Sequence, residues 1–244
     1  MKKLFLLLFL TVSISTIGQN KIEGVGKYKI NKMTIVSLQN IINENNFILD
    51  SIKSYNEYSK FKKDSYLSNL TSKKVYIAEV FSDTIKKYNS PPNSSLCKMR
   101  RVFYIPEMEI SKIQLKDTYL TFYNDTLISV DIKYNDKITE AFTLKYGQPE
   151  IESNEETINC IENSNGKTIE KTEKMYYQNW ENEDIKCTAA LGFYYNDKCE
   201  QTYLSYIMIY LKGKKEEIRA CDKNELEQLT IRKNKRKKSQ LEEF

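Results

Sequence analysis

The sequence predicts an α+β fold, with a largely antiparallel sheet and a few helices packed on one face. Alternating, strand-like segments occur in groups along the 244 residues, and only a few segments between them have helical spacing. Glycine and proline number only 7 and 4, whereas aromatic residues make up 12% of the chain. This composition is typical of a packed sheet and not of a linker or a low-complexity chain.

The first elements are short. Residues 27–31 predict a strand, and residues 34–46 predict a helix because apolar residues recur there at helical spacing. Those residues are Ile35, Leu38, Ile41 and Ile42. Residues 53–70 are polar and uneven, which indicates a loop or an irregular helix. Residues 75–81 predict a second strand.

A loop and an edge strand are expected next. Residues 87–97 contain adjacent prolines and several serines, which are unsuited to ladder pairing. Apolar residues then alternate from Val102 to Ile110. Because Pro106 has no N–H to donate, we expect this strand to lie at an edge of the sheet.

Residues 118–134 give the clearest pattern, that of a β-hairpin around Asn124 and Asp125. A two-residue turn at this dipeptide would pair Phe122 with Leu127. It would also place the apolar residues of the two strands on opposite faces, which disfavours it.

A three-residue loop over residues 124–126 is the preferred interpretation. It pairs Phe122 with Ile128 and Leu120 with Val130, which aligns the two apolar faces. Asparagine and aspartate tolerate the positive φ that such loops require.

A helix is predicted from Asp136 to Tyr146, with Gly147 as its C-cap and Pro149 just beyond. Four residues form its expected apolar side: Ile138, Ala141, Phe142 and Leu144. Residues 150–168 are acidic and polar, and no strand is predicted there.

The last part of the chain predicts three strands and a helix. Residues 173–180, 185–195 and 202–211 form the expected meander. Asp222 and Glu225 resemble a capping box at the start of the final helix. The charged end of the chain is expected to fray.

Residues 1–18 have the three parts of a secretory signal peptide: two lysines, the apolar run 4–12, and a small-residue region. Thr16 and Gly18 suit the cleavage site, and we expect cleavage between Gly18 and Gln19. The apolar run is shorter than the roughly 20 residues that span a bilayer. No later stretch is apolar enough to span a membrane. The chain is therefore expected to be exported, to the periplasm or outside the cell.

Beyond the leader, the sequence predicts an N-terminal lobe over 19–85, a strand-rich body over 98–230, and a basic tail over 231–244. The leader and the tail together hold more positive charge than the whole chain, whose formal net charge is +5. The near-neutral body has no excess of basic charge to neutralise phosphates, so nucleic acid is not an expected partner.

The hairpin–helix segment, Phe122-Tyr-Asn-Asp-Thr-Leu through Lys145-Tyr-Gly-Gln-Pro149, resembles a pattern found in uncharacterised exported bacterial proteins. Those proteins have an F-x-N-x-x-L hairpin, a helix ending in K-Y-G-x-P, and then a strand with a tryptophan, where Trp180 stands here. The segment is more remotely similar to the small modules of outer-membrane assembly lipoproteins of the BamE/SmpA kind. This chain lacks their lipid-bearing cysteine. The resemblance implies a fold and no activity.

Five cysteines in an exported chain predict two disulfides and one unpaired thiol. Cys160 and Cys199 are expected at one end of the predicted meander, and Cys187 and Cys221 at the other end. We therefore hypothesise the pairs Cys160–Cys199 and Cys187–Cys221, with Cys97 free. The alternative is that Cys187, among apolar residues, is a buried free thiol.

The chain has no histidine, which excludes Ser-His-Asp and Cys-His catalysis and histidine-bearing metal sites. It also has no CxxC, Walker or GxGxxG motif, so neither a cofactor nor a metal is expected. Glycosidase-type catalysis uses two carboxyl groups and needs none of these motifs, so it remains a candidate. The acidic candidates are Glu107, Glu109, Asp131, Glu140, Glu181 and Asp184.

The sequence therefore favours a non-enzymatic exported protein that binds another protein or an envelope component, for which tyrosine-rich strands offer a surface. The first alternative is an envelope hydrolase that uses paired carboxylates in a cleft. The second is an inhibitor or immunity-type module.

Overall fold

A computed structural model describes residues 21–72, 74–81, 90–161 and 166–242. The expected signal peptide and its Gly18–Gln19 cleavage site lie outside the described residues. Four helices are described: α1 (Ile35–Glu44), α2 (Tyr55–Ser72), α3 (Asp136–Tyr146) and α4 (Lys214–Glu242). The first strands are β1 (Gly24–Val25), β2 (Tyr28–Lys29), β3 (Ile48–Ile52), β4 (Tyr76–Val80), β5 (Arg100–Ile110) and β6 (Ile113–Tyr123). The others are β7 (Thr126–Lys133), β8 (Glu150–Ile161), β9 (Thr168–Glu181), β10 (Ile185–Tyr195) and β11 (Gln201–Leu211).

The described strands form a two-stranded hairpin, β1–β2, and one nine-stranded sheet in the order β3-β4-β5-β6-β7-β11-β10-β9-β8. The pair β3–β4 is parallel, and the other neighbours are antiparallel. The predicted α+β class with a largely antiparallel sheet is confirmed, but the helices lie on both faces of the sheet and not on one face as expected. Strands from the expected N-terminal lobe and from the expected body belong to this same sheet.

The front face of the sheet, which we define as the face that carries Phe122 and Ile207, packs against α1, α3 and the β1–β2 hairpin. Helix α1 begins after Thr34, whose Oγ1 accepts a hydrogen bond from the Ser37 backbone N–H. This satisfies one of the donors that an α-helix leaves open at its start. Helices α1 and α3 and the front face of the sheet together bury one continuous apolar core.

The opposite, back face carries two separate apolar clusters. Helix α2 lies over the first, where the Tyr58 and Tyr104 rings are 4.9 Å apart and the Tyr58 and Tyr119 hydroxyls are 2.9 Å apart. Helix α4 lies over the second, around Cys97 and Tyr123. Polar side chains occupy the sheet between them.

Residues 53–70, expected to be a loop or an irregular helix, form the regular helix α2 instead. Its buried residues Tyr58, Phe61 and Ser65 follow helical spacing. Tyrosine and serine stand where a helix normally has aliphatic residues, so the apolar pattern is weak although the packing against Tyr104 is close.

The strand that contains Pro106 is not at an edge, because β5 lies between β4 and β6. This corrects the prediction. Strand β4 pairs with β5 only at residues 102–104. Pro106 lies beyond the residues of β5 that pair with β4, so its missing N–H costs no hydrogen bond on that side.

The turn between β6 and β7 has two residues, and the preferred three-residue loop is wrong. Asn124 and Asp125 both have positive φ, 48° and 62°, and Phe122 pairs with Leu127. The pairing register shifts at the next position, so that Ile128 is the extra residue of a β-bulge. The bulge realigns the apolar faces, which is why both observed pairings, Phe122 with Leu127 and Leu120 with Val130, can coexist.

Helix α3 has the predicted bounds, and Gly147 ends it with a φ of 91°. Its buried side differs from the predicted one. Ala141 and Leu144 are exposed, the latter to 89%, whereas Tyr146 is buried with its ring 5.0 Å from that of Phe142.

Residues 150–161, predicted to contain no strand, form the 12-residue edge strand β8. It pairs with β9 along its whole length. Its first eight residues are all exposed, so the sequence of this strand shows no alternation of apolar and polar residues. Backbone pairing with β9 specifies it instead.

The last helix begins at Lys214, so Asp222 and Glu225 lie inside it and do not cap it. This corrects the capping-box prediction. The charged residues up to 242, expected to fray, belong to helix α4 in the structure. Among the described residues, no helix has the length and apolar character needed to cross a membrane.

Candidate functional site

The structure contains two disulfides among its described residues. Cys160 is bonded to Cys199, the pair expected from the sequence. Cys97 is bonded to Cys221, and Cys187 is a buried free cysteine. The expected Cys187–Cys221 bond is therefore wrong, and so is the expectation that Cys97 is free.

The two faces of the sheet explain this pairing. Cys187 lies in the front-face core, and burial raises the pKa of its thiol. Cys221 lies on α4, against the back face. The sheet separates the two sulfur atoms. Cys97 precedes β5 and lies under α4, which brings it to Cys221.

The Cys97–Cys221 bond stands beside a polar clamp. Oδ1 of Asp222 accepts hydrogen bonds from the Ser95 hydroxyl at 2.6 Å and from the backbone N–H groups of Leu96 and Cys97, each at 3.0 Å. This side chain thus holds the segment before β5 against α4.

A cavity of about 320 Å³ lies between the back face and the first three turns of α4. We call it the back-face cavity. Its floor comes from β5, β6, β7 and β11, and its roof from α4. The residues that matter for its chemistry are Arg100, Asp131, Tyr210, Lys215, Arg219 and Asp222.

Arg100 and Asp131 set the electrostatics of the back-face cavity. The Arg100 side chain is 19% exposed, and its Nη1 is 3.9 Å from Oδ2 of Asp222. Oδ2 of Asp131 accepts a hydrogen bond from the Ser129 hydroxyl at 3.2 Å. Burial raises the pKa of Asp131 to about 6, and the Ser129 hydroxyl and the Arg100 charge oppose that rise.

The other acidic candidates lie apart from this cavity. Glu107 forms an ion pair with Lys116, Glu181 with Lys212, and Asp184 with Lys21. Glu109 accepts a hydrogen bond from Gln114. Glu140 is exposed on α3. Of the six predicted carboxylates, Asp131 is the one that lines the back-face cavity.

Arg100 was not among the candidates from the sequence. The signal was the Arg100-Arg101 dipeptide at the start of an alternating strand, since successive side chains of a strand point to opposite faces. One of the two arginines therefore had to lie on each face. The sequence did not reveal that α4 would cover one of them.

A second surface lies on the front face, where β8–β11 extend past the core. Its residues form neighbouring cross-strand pairs and are largely exposed: Tyr176 (56%), Leu191 (37%) and Tyr203 (74%), with half-buried Phe193 paired to Tyr203. Ile151 on β8 faces the same way and is 72% exposed. We call these five residues the front-face patch.

The described residues contain no cluster of three or more cysteines or carboxylates that could hold a metal ion. Comparisons of the chain with protein-family models, with curated proteins and with solved structures found no match. The geometry of the two sites therefore carries the functional argument.

Proposed function

We propose that this is an exported, non-enzymatic protein that binds another protein through the front-face patch, in the periplasm or outside the cell. The observation that carries the proposal is the patch itself. Its apolar and aromatic side chains are contiguous on one face, whereas exposed apolar residues on most monomers are scattered. Tyrosine suits such a surface because it combines a large apolar ring with a polar tip.

Export is supported by two features. The leader has the composition of a signal peptide. The two disulfides are compatible with an oxidising compartment.

The edge next to the patch favours a protein as the occupant. Strand β8 is the last strand of the sheet, and its outer edge offers backbone N–H and C=O groups over 12 residues. A partner strand can use these groups while its side chains reach the patch.

The negative charge of β8 favours a basic partner over a second copy of this chain. The strand carries four glutamates and no basic residue: Glu150, Glu152, Glu155 and Glu156. Two copies of β8 would place these charges together, which opposes self-pairing. A partner with a basic surface meets the opposite charge.

The test compares three immobilised forms of the protein: wild type, the triple variant Tyr176→Ser/Leu191→Ser/Tyr203→Ser, and the control Leu144→Ser. Leu144 is an apolar residue on α3, outside the patch, and is more exposed than each of the three patch residues. Each form is incubated with detergent-solubilised cell envelope and, separately, with purified peptidoglycan. The retained protein is then purified and its Kd measured for all three forms.

We expect one stoichiometric partner that binds wild type and Leu144→Ser alike and binds the triple variant at least tenfold more weakly. Equal binding to all three forms would contradict the proposal. So would patch-dependent retention of peptidoglycan, because the occupant would then be a glycan.

A carboxylate hydrolase is the second candidate. The observation in its favour is that Asp131, with its pKa raised to about 6, lines the same cavity as Asp222. Oδ1 of Asp222 already accepts three hydrogen bonds from the segment before β5, which weighs against a catalytic role for this residue. Release of reducing ends from purified peptidoglycan by wild type, abolished in Asp131→Asn, would replace the binding proposal.

A further inference from the structure

The guanidinium group of Arg100 has hydrogen-bonding capacity that the described part of the chain does not use. Its Nε is buried there without an acceptor. Its nearest carboxylate, Asp222, is at 3.9 Å, which is outside hydrogen-bonding distance. An arginine has five N–H donors in a planar fork, and a buried donor without a partner costs free energy.

The two carboxylates near Arg100 do not fill this need. Asp222 points its Oδ1 at the segment before β5. Asp131 accepts from Ser129, and burial holds its pKa above the usual range of an aspartate. Arg100 thus lines the cavity with its Nε unpaired among the described residues, while Oδ2 of Asp222 lies 3.9 Å from its Nη1.

The roof adds positive charge. Lys214, Lys215 and Arg219 line the cavity from α4, so four basic groups face two acidic ones. Glu217 pairs with Lys214 and Glu216 with Arg219 from outside the cavity. Lys215 belongs to neither of these two pairs, and it lies on the wall opposite Arg100.

The rest of the lining combines the polar residues Asn93, Thr121 and Ser129 with a larger apolar part. Ile128, Met208, Tyr210 and Ile218 contribute side chains to the walls. A volume of about 320 Å³ is at the small end of ligand-binding cavities. The cavity therefore suits a molecule with an anionic end and a compact apolar body.

We propose that the back-face cavity binds a small organic carboxylate, whose two oxygens accept from the Arg100 fork while its apolar body packs against Ile128, Met208 and Ile218. Arginine and a carboxylate match in planar, bidentate geometry, which gives such a pair both strength and direction. The site is separate from the front-face patch and does not depend on the proposed protein partner.

The experiment titrates the purified protein with benzoate, with its neutral analogue benzamide, and with inorganic phosphate. Methyl NMR signals of Ile128, Met208 and Ile218 report binding, because the ring of the probe shifts them. The same titrations are made on Arg100→Gln and on the matched control Arg101→Gln. Arg101 is the next residue, points to the other face and pairs with Glu79.

We expect saturable shifts with benzoate, at least tenfold weaker binding of benzamide, and at least tenfold weaker binding of benzoate to Arg100→Gln but not to Arg101→Gln. The exposed variant Lys215→Glu provides a second test in case Arg100→Gln does not fold, and it should weaken benzoate binding severalfold. Equal affinity for benzoate and benzamide would overturn the proposal, as would unchanged binding in both Arg100→Gln and Lys215→Glu. Phosphate that binds as tightly as benzoate would also overturn it, because an inorganic-anion site needs no apolar walls.

Discussion

The front face of the nine-stranded sheet carries one continuous apolar core, whereas the back face carries two separate clusters with Arg100 and Asp131 between them. The front face is stabilised by packing of α1 and α3 over β6, β7, β10 and β11. The back face relies in part on a covalent bond and a polar clamp that hold α4 in place. The continuous apolar core and the buried charged groups Arg100 and Asp131 therefore lie on opposite faces of one sheet.

The largest difference in stability between the two faces is expected for substitutions at two adjacent residues of β6. Phe122 is fully buried on the front face, and Thr121 lines the back-face cavity. Phe122→Ala should lower the free energy of unfolding by about 3–5 kcal/mol, because it leaves a void in a packed core. Thr121→Ala should cost about 1 kcal/mol or less. Urea denaturation measures both, and equal losses would mean that the two faces are packed alike.

The second prediction concerns the covalent support of the back face. The Cys97–Cys221 bond spans 124 residues, and the Cys160–Cys199 bond spans 39. Replacing both members of the longer pair with serine should cost about 2–5 kcal/mol, and doing so for the shorter pair should cost less, because loop-closure entropy grows with loop length. Thermal unfolding of the two double variants tests the order. A larger loss from the shorter pair would show that α4 is held chiefly by non-covalent contacts.

The third prediction uses the pKa of Asp131, which is about 6 in the folded protein and 3.8 as the unperturbed value. Between pH 4 and pH 6 the folded state binds more protons than the unfolded state, so this group lowers stability as the pH rises. The loss is complete above pH 6 and amounts to at most about 3 kcal/mol. The titratable groups near Asp131 are Arg100, Asp222, Tyr119 and Tyr206.

Asp131→Asn removes this titration. Its free energy of unfolding, relative to that of wild type, should therefore rise between pH 4 and pH 7, with most of the rise below pH 6. Urea denaturation at several pH values measures the difference. A difference that does not change with pH would mean that Asp131 is ionised in the folded state throughout this range.

The smallest expected effect lies at the uncovered end of β11. Tyr203 is 74% exposed in the front-face patch, whereas Ile207 is 1% exposed in the core on the same strand and face. Tyr203→Ser should change the free energy of unfolding by no more than about 0.5 kcal/mol, as for most surface substitutions. Ile207→Ala should cost about 2–5 kcal/mol. A substantial loss from Tyr203→Ser would show that the patch supports the fold.

The sequence predicted elements whose apolar residues follow a period of two or 3.6. Helices α1 and α3 and the meander β9–β11 belong to this group. It did not predict β8, because an exposed edge strand is specified by backbone pairing and not by its side chains. It did not predict α2 as regular, because Tyr58 and Ser65 fill buried positions that aliphatic residues usually occupy.

The candidate site was predicted less completely. Asp131 was one of six acidic candidates, and nothing in the sequence separated it from the other five. Arg100 was missed, because its chemistry arises from the helix above it. The placement of α4 depends on the bond between Cys97 and Cys221, residues far apart in the chain. The wrong choice of partner for Cys221 therefore concealed the cavity as well.

That long-range bond also constrains the order of assembly. A ribosome makes Cys97 first and Cys221 last among the five cysteines, with Cys160, Cys187 and Cys199 in between. Every incorrect partner of Cys97 therefore becomes available before the correct one. Burial of Cys187 in the front-face core removes one competing thiol, and the Cys160–Cys199 bond removes two. We therefore expect the native pairing to form most readily when the meander folds before α4 is attached to it.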